Sequence, residues 1–234
     1  MVLAEVNAGK VYMESLDYEQ LISHLSSTAC FQNALPTNLL CLSATEQYFE
    51  SELKVMVFGQ ETNNWLDKFL DTGGVTALIK TYNGFYNSGK CYSYGGYFWN
   101  ALSKLKSRLE LENQENQVGI LWNNILKIGR YREKGTPSKD IIVWQKPAID
   151  FIKEEIAHFS PNIVIFFTGP YYDRHIKNAF NDVSFEPINA RPKHQLARVV
   201  SQYLPHKSIR TYHPGYLWRN GFYQYLDEIM AEIV

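Results

Sequence analysis

LKVMVFG, residues 53–59, is a short and almost continuous apolar run stopped by a glycine. Seven residues are few for a buried helix, and the lack of polar alternation means that both faces are covered. The run therefore reads as a buried strand of a parallel sheet. The pattern recurs three times downstream, in VGILWNN (118–124), NIVIFFTG (162–169) and KSIRTYHPG (207–215). Helical segments stand between and after these runs: YFWNALSKLKSRLELE (97–112), a stretch over about 141–158 that Pro147 either kinks or restarts, YDRHIKNAF (172–180) and RNGFYQYLDEIMAEI (219–233). Strands that alternate with helices pair in parallel through right-handed crossovers. The expected fold is α/β: a three-layer α/β/α sandwich with a central, mostly parallel four-stranded sheet.

Upstream of the first strand, ESLDYEQLISHLSS (14–27) places Leu16, Leu21, Ile22 and Leu25 on one helical stripe, and 36–50 reads as a connection followed by a short helix. Residues 1–50 are thus expected to form an N-terminal helical extension packed on a single domain that spans 1–234. No repeat, low-complexity tract or long linker interrupts the chain.

The 234 residues are 45% hydrophobic and 20% charged, well away from the composition of disordered chains. The net charge of -1, from 23 basic and 24 acidic residues, excludes a uniformly basic binder but not a local basic groove. Aromatic residues make up 15%, and most of them are expected in the core, with the remainder free to stack on a flat ligand. Cys30, Cys41 and Cys91 lie far apart with no CxxC spacing. That pattern fits reduced thiols and argues against an iron–sulfur cluster or structural zinc site. The opening residues carry charge too early for a secretion signal, and no apolar run approaches the roughly 20 residues that span a bilayer. A cytoplasmic, monomeric protein without membrane, metal or cofactor is expected.

In such sheets ligands bind outside the carboxyl ends of the strands. Those ends are GQETNNW (59–65), Asn123-Asn124, TGPYY (168–172) and His213-Pro214-Gly215-Tyr216-Leu217. A carboxylate, amides, a histidine and aromatics are thus brought to one edge of the sheet, and Tyr131, Tyr171 and Tyr216 are expected at its rim.

The order of these segments resembles the uracil-DNA glycosylase superfamily over roughly residues 53–232. The family's first motif, an apolar strand running into Gly-Gln-Asp-Pro-Tyr, is similar to VMVFGQETN (55–63). Its second strand, ending in Asn, is similar to GILWNNILKIG (119–129), and its third to IVIFFTGPYY (163–172). Its final His-Pro-Ser-Pro-Leu motif is similar to HPGYLWRNGFYQYL (213–226). The resemblance implies hydrolysis of the N-glycosidic bond of uracil or another altered base in DNA. It gives Glu61 the water-orienting role and His213 the donor role toward the departing base. Gln60 and Asn123 would bind the base, and one of Phe69, Tyr82 and Phe85 would stack on it. Leu217 would fill the space left by the flipped base, and Arg130, Arg132, Lys207, Arg210 and Arg219 would contact phosphates. Lys127 and Lys134 belong to the same basic run, KIGRYREK (127–134).

The chain departs from the family pattern at four places. Glu61 stands for the commoner Asp, Thr62 for Pro, and Asn63 for the Tyr that blocks the 5-methyl of thymine; Gly215-Tyr216 replaces Ser-Pro. These departures raise an alternative, a catalytically inactive relative that binds nucleic acid or a nucleotide. A protein-interaction domain using aromatics such as Tyr223 and Tyr225 is a third reading.

Overall fold

A computed structural model describes residues 16–29, 31, 35–113, 118–188 and 191–234. Six strands form one sheet: β1 (Leu53–Glu61), β2 (Val118–Leu126), β3 (Ile163–Phe167), β4 (Ser184–Pro187), β5 (Leu196–Val200) and β6 (Lys207–Thr211). Their order is β2-β1-β3-β6-β5-β4. The four apolar runs of the sequence are its parallel part, with β1 between β2 and β3, and β6 beside β3. The sheet has six strands rather than the expected four, because β5 and β4 extend it as an antiparallel pair. Those two strands escape a sequence reading for a physical reason. They are half-solvated at the sheet margin, with exposed and buried residues interspersed (Ser184, Glu186 and Pro187 exposed around Phe185), so neither shows a continuous apolar run.

Eleven helices are described: α1 (Tyr18–Ser27), α2 (Glu46–Glu50), α3 (Gly74–Tyr82), α4 (Lys90–Ser93), α5 (Tyr97–Glu112), α6 (Lys139–Trp144), α7 (Lys146–Asp150), α8 (Ile152–Phe159), α9 (Asp173–Ala179), α10 (Pro214–Arg219) and α11 (Phe222–Ile233). Both faces of the sheet are covered. Successive strand residues point to opposite faces. Phe167 meets Phe98 of α5 on one side, whereas Phe166 meets Phe180, just past α9, on the other. The stretch 141–158 is three helices, and Pro147 sits in the first turn of α7, where its missing N–H costs nothing.

The segment before β1 is part of the core. Leu39, Leu40, Cys41 and Leu42 are buried, and residues 36–40 run between two site-bearing loops. Thr37 N–H donates to Gly129 O (3.1 Å), Leu40 N–H to Lys127 O (3.0 Å), and Phe69 N–H to Pro36 O (2.9 Å). Asn38 is buried at a crossing of four bonds. Its amide donates to Leu66 O and to Lys68 O (2.9 Å), and its oxygen receives Leu70 N–H (3.1 Å) and the Thr72 hydroxyl (3.4 Å). The loop it holds contains four non-glycine residues in the left-handed region, Asn64, Leu66, Asp67 and Leu70. Such strain persists only where the surroundings enforce it. The α1 expectation holds from Tyr18 onward; residues 14 and 15 and Cys30 lie outside the described residues. Cys41 and Cys91 are buried free thiols.

A candidate active site at the ends of the parallel strands

The chain leaves β1 for β2 on one side and returns to β3 on the other. The ends of β1 and β3 therefore flank the point where strand order reverses, the usual ligand crevice of such sheets. A cavity of about 320 Å³ lies there, lined by residues 59–65 together with Phe85, Tyr94, Phe98, Trp99, Trp122, Asn124 and His213. That volume is at the small end of ligand pockets, which run to about 300–1,000 Å³. Its walls are aromatic: Trp122 meets Trp99 edge-on at 4.9 Å and Trp65 at 5.5 Å, and Trp99 meets Phe85 at 5.2 Å. Of the three aromatics left open by the sequence, Phe85 lines the cavity. Phe69 packs in a separate cluster with Leu21 and Leu25, and Tyr82 lies beneath Trp122, donating to its carbonyl at 2.7 Å.

Glu61 and His213 line this one cavity, although 152 positions separate them in sequence. Tyr172, buried at the turn after β3, donates its hydroxyl to Glu61 Oε2. A phenol has one proton, so the 2.8 Å contact between Tyr172 Oη and Thr136 Oγ1 is donated by the threonine. Burial pushes the Glu61 carboxyl above its ordinary pKa, while the Tyr172 bond and the Arg130 charge act the other way. Among the described residues, Oε1 of Glu61 has no hydrogen-bond partner.

His213 is the N-cap of α10, and its Nδ1 accepts Gly215 N–H at 3.1 Å. Burial first, and the Arg219 charge second, lower its pKa to about 4. The ring is therefore neutral at pH 7 and carries its proton on Nε2 as a donor. Its face lies along Phe98, with ring centres 6.4 Å apart at 20°.

Asn123, expected at the site, does not line the cavity; its neighbour Asn124 does. Asn123 points to the opposite face of the sheet, where its amide donates to Glu155 Oε2 (2.8 Å) and its oxygen receives Lys127 Nζ (3.1 Å). Lys127 and Glu155 form an ion pair there, both fully buried, and the Tyr18 hydroxyl donates to Glu155 at 2.6 Å. The cavity is lined instead by Asn124, whose Oδ1 accepts Trp122 Nε1–H at 3.2 Å. An indole N–H only donates, which fixes the amide's orientation and leaves Nδ2 as the free donor. Across the β1–β2 ladder Asn124 stands opposite Gly59, a pairing that only the strand register reveals. A Cβ on Gly59 would lie 2.3 Å from Asn124 Oδ1, so only glycine leaves room for the amide. Sequence reasoning gave no role to Tyr172, Trp65 or Trp122, although they lie within TGPYY (168–172), GQETNNW (59–65) and VGILWNN (118–124), and Thr136 and Trp99 lie outside every strand-end segment.

Gln60 lines the cavity while its side chain donates to Thr168 O at 2.7 Å, joining the ends of β1 and β3. The departures from the first motif have structural uses. Thr62 donates its hydroxyl to Lys127 O (3.2 Å), Asn63 Oδ1 accepts Gly135 N–H (3.2 Å), and Asn64 Oδ1 accepts Arg132 N–H (2.9 Å). The loop after β2 is thereby latched to the rim. Gly129 is needed for the same contact, since a Cβ there would sit 1.7 Å from Thr62 O.

The expected DNA-contacting residues divide. Arg132 and Arg219 are exposed and Arg130 is half-buried, all beside the cavity-lining segments. Lys207, by contrast, begins β6, about 13 Å of strand from its carboxyl end, and its Nζ donates to Ile233 O at 2.7 Å, capping α11. Arg210 is buried against Asp173 (2.9 Å) and donates to His194 O (3.0 Å) and Lys193 O (2.9 Å). Lys127 is a core cation rather than a surface one. Leu217 is wholly buried in the main core, so it cannot enter a base stack in this conformation. Tyr171 is exposed and Tyr216 stacks on Tyr212 at 4.0 Å; neither lines the cavity.

Among the described residues, no group of three or more His, Cys, Asp and Glu is arranged to hold a metal ion, and no helix is long and apolar enough to cross a membrane. No protein-family model matches the chain, and no curated protein matches it in sequence.

Proposed function

We propose that this protein is a DNA glycosylase of the uracil-DNA glycosylase type, hydrolysing the N-glycosidic bond of uracil or another altered base. The observation that carries the reading is the convergence of Glu61 and His213 on one aromatic-walled cavity. The order of the strand-end motifs and the arginines beside the rim support it. Cleavage leaves positive character on the sugar and negative charge on the base. Glu61 faces the first with a carboxylate that can also hold a water, and the Nε2–H of neutral His213 faces the second, where a preoriented donor is most effective. One water is consumed. Its oxygen bonds to the anomeric carbon, the electrons of the C–N bond leave with the base, and Glu61 takes the released proton and returns it to solvent. Asn124 supplies the amide contact to the base, and the tryptophan and phenylalanine rings enclose its faces.

The test is incubation with oligonucleotides containing uracil, hypoxanthine or mismatches, followed by detection of abasic sites. Activity abolished in Glu61→Gln and reduced in His213→Ala is expected. No abasic product from any of these substrates, with DNA binding intact, removes the catalytic reading.

One observation favours a second reading, a binding module without catalysis. Thr62 and Asn63 serve to latch the loop after β2, in a motif that the family uses to shape its catalytic site. On that reading nucleic-acid binding persists in Glu61→Gln and falls steeply with salt.

A further inference from the structure

Three strand ends contribute to a relay behind Glu61. Thr136, in the loop after β2, donates to Tyr172 at 2.8 Å; Tyr172, from the turn after β3, donates to Glu61 Oε2; and Glu61 closes β1. Tyr172 is buried and is fixed by its ring contact with His175 (5.2 Å). Its hydroxyl proton is committed to Glu61, since a carboxylate only accepts, and the threonine hydroxyl donates to the phenol oxygen in turn. Glu61 has one methylene more than aspartate and correspondingly more rotamers, and a water-orienting carboxylate must be held to within about 0.5 Å. We propose that Tyr172 is a positioning residue which, oriented by Thr136, pins one oxygen of Glu61 so that the other is presented to the nucleophilic water.

The inference rests on the glycosylase reading for its purpose, but the relay can be measured without it. The charged and titratable groups facing Glu61 are Tyr172 from the β3 turn, Arg130 from the loop after β2 and His213 across the cavity. Removing the phenol removes a bond that favours the ionised carboxylate, so the Glu61 midpoint must rise. For a hydrogen bond to a charged group the rise is about one pH unit. Removing the threonine hydroxyl leaves the phenol present but free to turn, and the rise must be smaller.

Protein carrying 13C-labelled glutamate carboxyls is titrated by NMR as wild type, Tyr172→Phe and Thr136→Val, with Glu61→Gln identifying the resonance. The expected result is a midpoint order of Tyr172→Phe above Thr136→Val above wild type. In parallel, the acid limb of kcat/KM moves to higher pH, activity recovers in alkaline buffer, and KM is little changed. A side chain that only fills space would lower activity equally at every pH. An unmoved Glu61 midpoint in Tyr172→Phe overturns the proposal, and an unmoved one in Thr136→Val removes Thr136 from it. Should Tyr172→Phe fail to fold, Thr136→Val, an exposed loop substitution, decides by itself, and an unmoved Glu61 midpoint in it then overturns the proposal. If wild type releases no base while the midpoints shift as expected, the relay stands and the glycosylase reading fails.

Discussion

Asn124 and Gly59 face each other across the β1–β2 ladder, and the side-chain oxygen of Asn124 occupies the space a methyl group on Gly59 would take, 2.3 Å from that Cβ position. The glycine that ends the apolar run of the first strand is therefore part of the cavity as well as a strand terminus. Gly59→Ala is expected to displace Asn124 and the nearby Phe98 ring, at a cost of about 1–3 kcal/mol in stability. Base binding, read by quenching of the three cavity tryptophans, should weaken in the same variant. Unaltered quenching and an unaltered urea midpoint would show that the amide is not held there.

The two adjacent asparagines, both buried, should differ in binding rather than in stability. Asn123→Ala leaves the buried Lys127–Glu155 pair short of a partner on each side and should cost about 1–3 kcal/mol of stability. Asn124→Ala strips the acceptor from the buried Trp122 indole N–H and should also cost about 1–3 kcal/mol, but it alone of the two should weaken base binding in the folded protein. Replacing Lys127 by Met, which leaves Glu155 buried without its cation, is the severe case, at about 3–5 kcal/mol. Chemical denaturation with base titration on the same samples checks all three.

Two histidines, His175 buried and His213 half-buried, set an acid dependence of stability. His213 and His175 are each held near a pKa of about 4, chiefly by burial, against an ordinary value of 6.5. As pH falls from 6.5 toward 4 the unfolded chain binds these protons and the folded chain does not, so stability declines through that window. His175→Gln and His213→Gln should each flatten the decline when urea midpoints are compared at pH 7, 5.5 and 4.5. On the glycosylase reading catalysis responds differently: His213 stays neutral above about pH 5, so it should impose no loss of activity between pH 8 and 5.5. His213→Ala should raise the barrier by about 2–4 kcal/mol, measured as kcat/KM on uracil-containing DNA.

The basic residues fall into two sets that a salt titration distinguishes. Arg132→Ala and Arg219→Ala should each reduce the slope of log affinity against log salt by about 1. Lys207→Ala should leave that slope unchanged, because its ammonium caps α11 at the other end of β6. Leu217→Ala should act on stability, by about 2–5 kcal/mol as for other buried leucines, with DNA affinity preserved wherever the fold is intact. Fluorescence anisotropy across a salt series, paired with thermal melts, provides both readings.

The legible parts of this protein are those whose signal is local. The parallel strands β1, β2 and β3 show as largely apolar runs because both of their faces are covered, whereas β6 (KSIRT) buries Ser208, Arg210 and Thr211 around one apolar residue; α5 shows over its full length, 97–112, because it is long and its apolar face is regular. The strands β4 and β5 are short and partly solvated, so their residues resemble those of a surface loop. Glu61, Gln60 and His213 stand at strand ends, where topology alone brings them near one another. Asn123 and Asn124 could not be told apart, since both sit in a strand that is buried on each face.

By itself the sequence determined the α/β class, the four parallel strands and the edge of the sheet at which ligands would meet them, because apolar periodicity and strand order are written along the chain. The tertiary structure decided which asparagine faces the cavity, that Lys207, Arg210 and Leu217 are structural, that Tyr172 and Thr136 stand behind Glu61, and that residues 36–40 brace the site. Those outcomes depend on which groups from distant segments compete for the same buried space and the same hydrogen bonds. That competition is settled only when β1, β2 and β3 lie side by side.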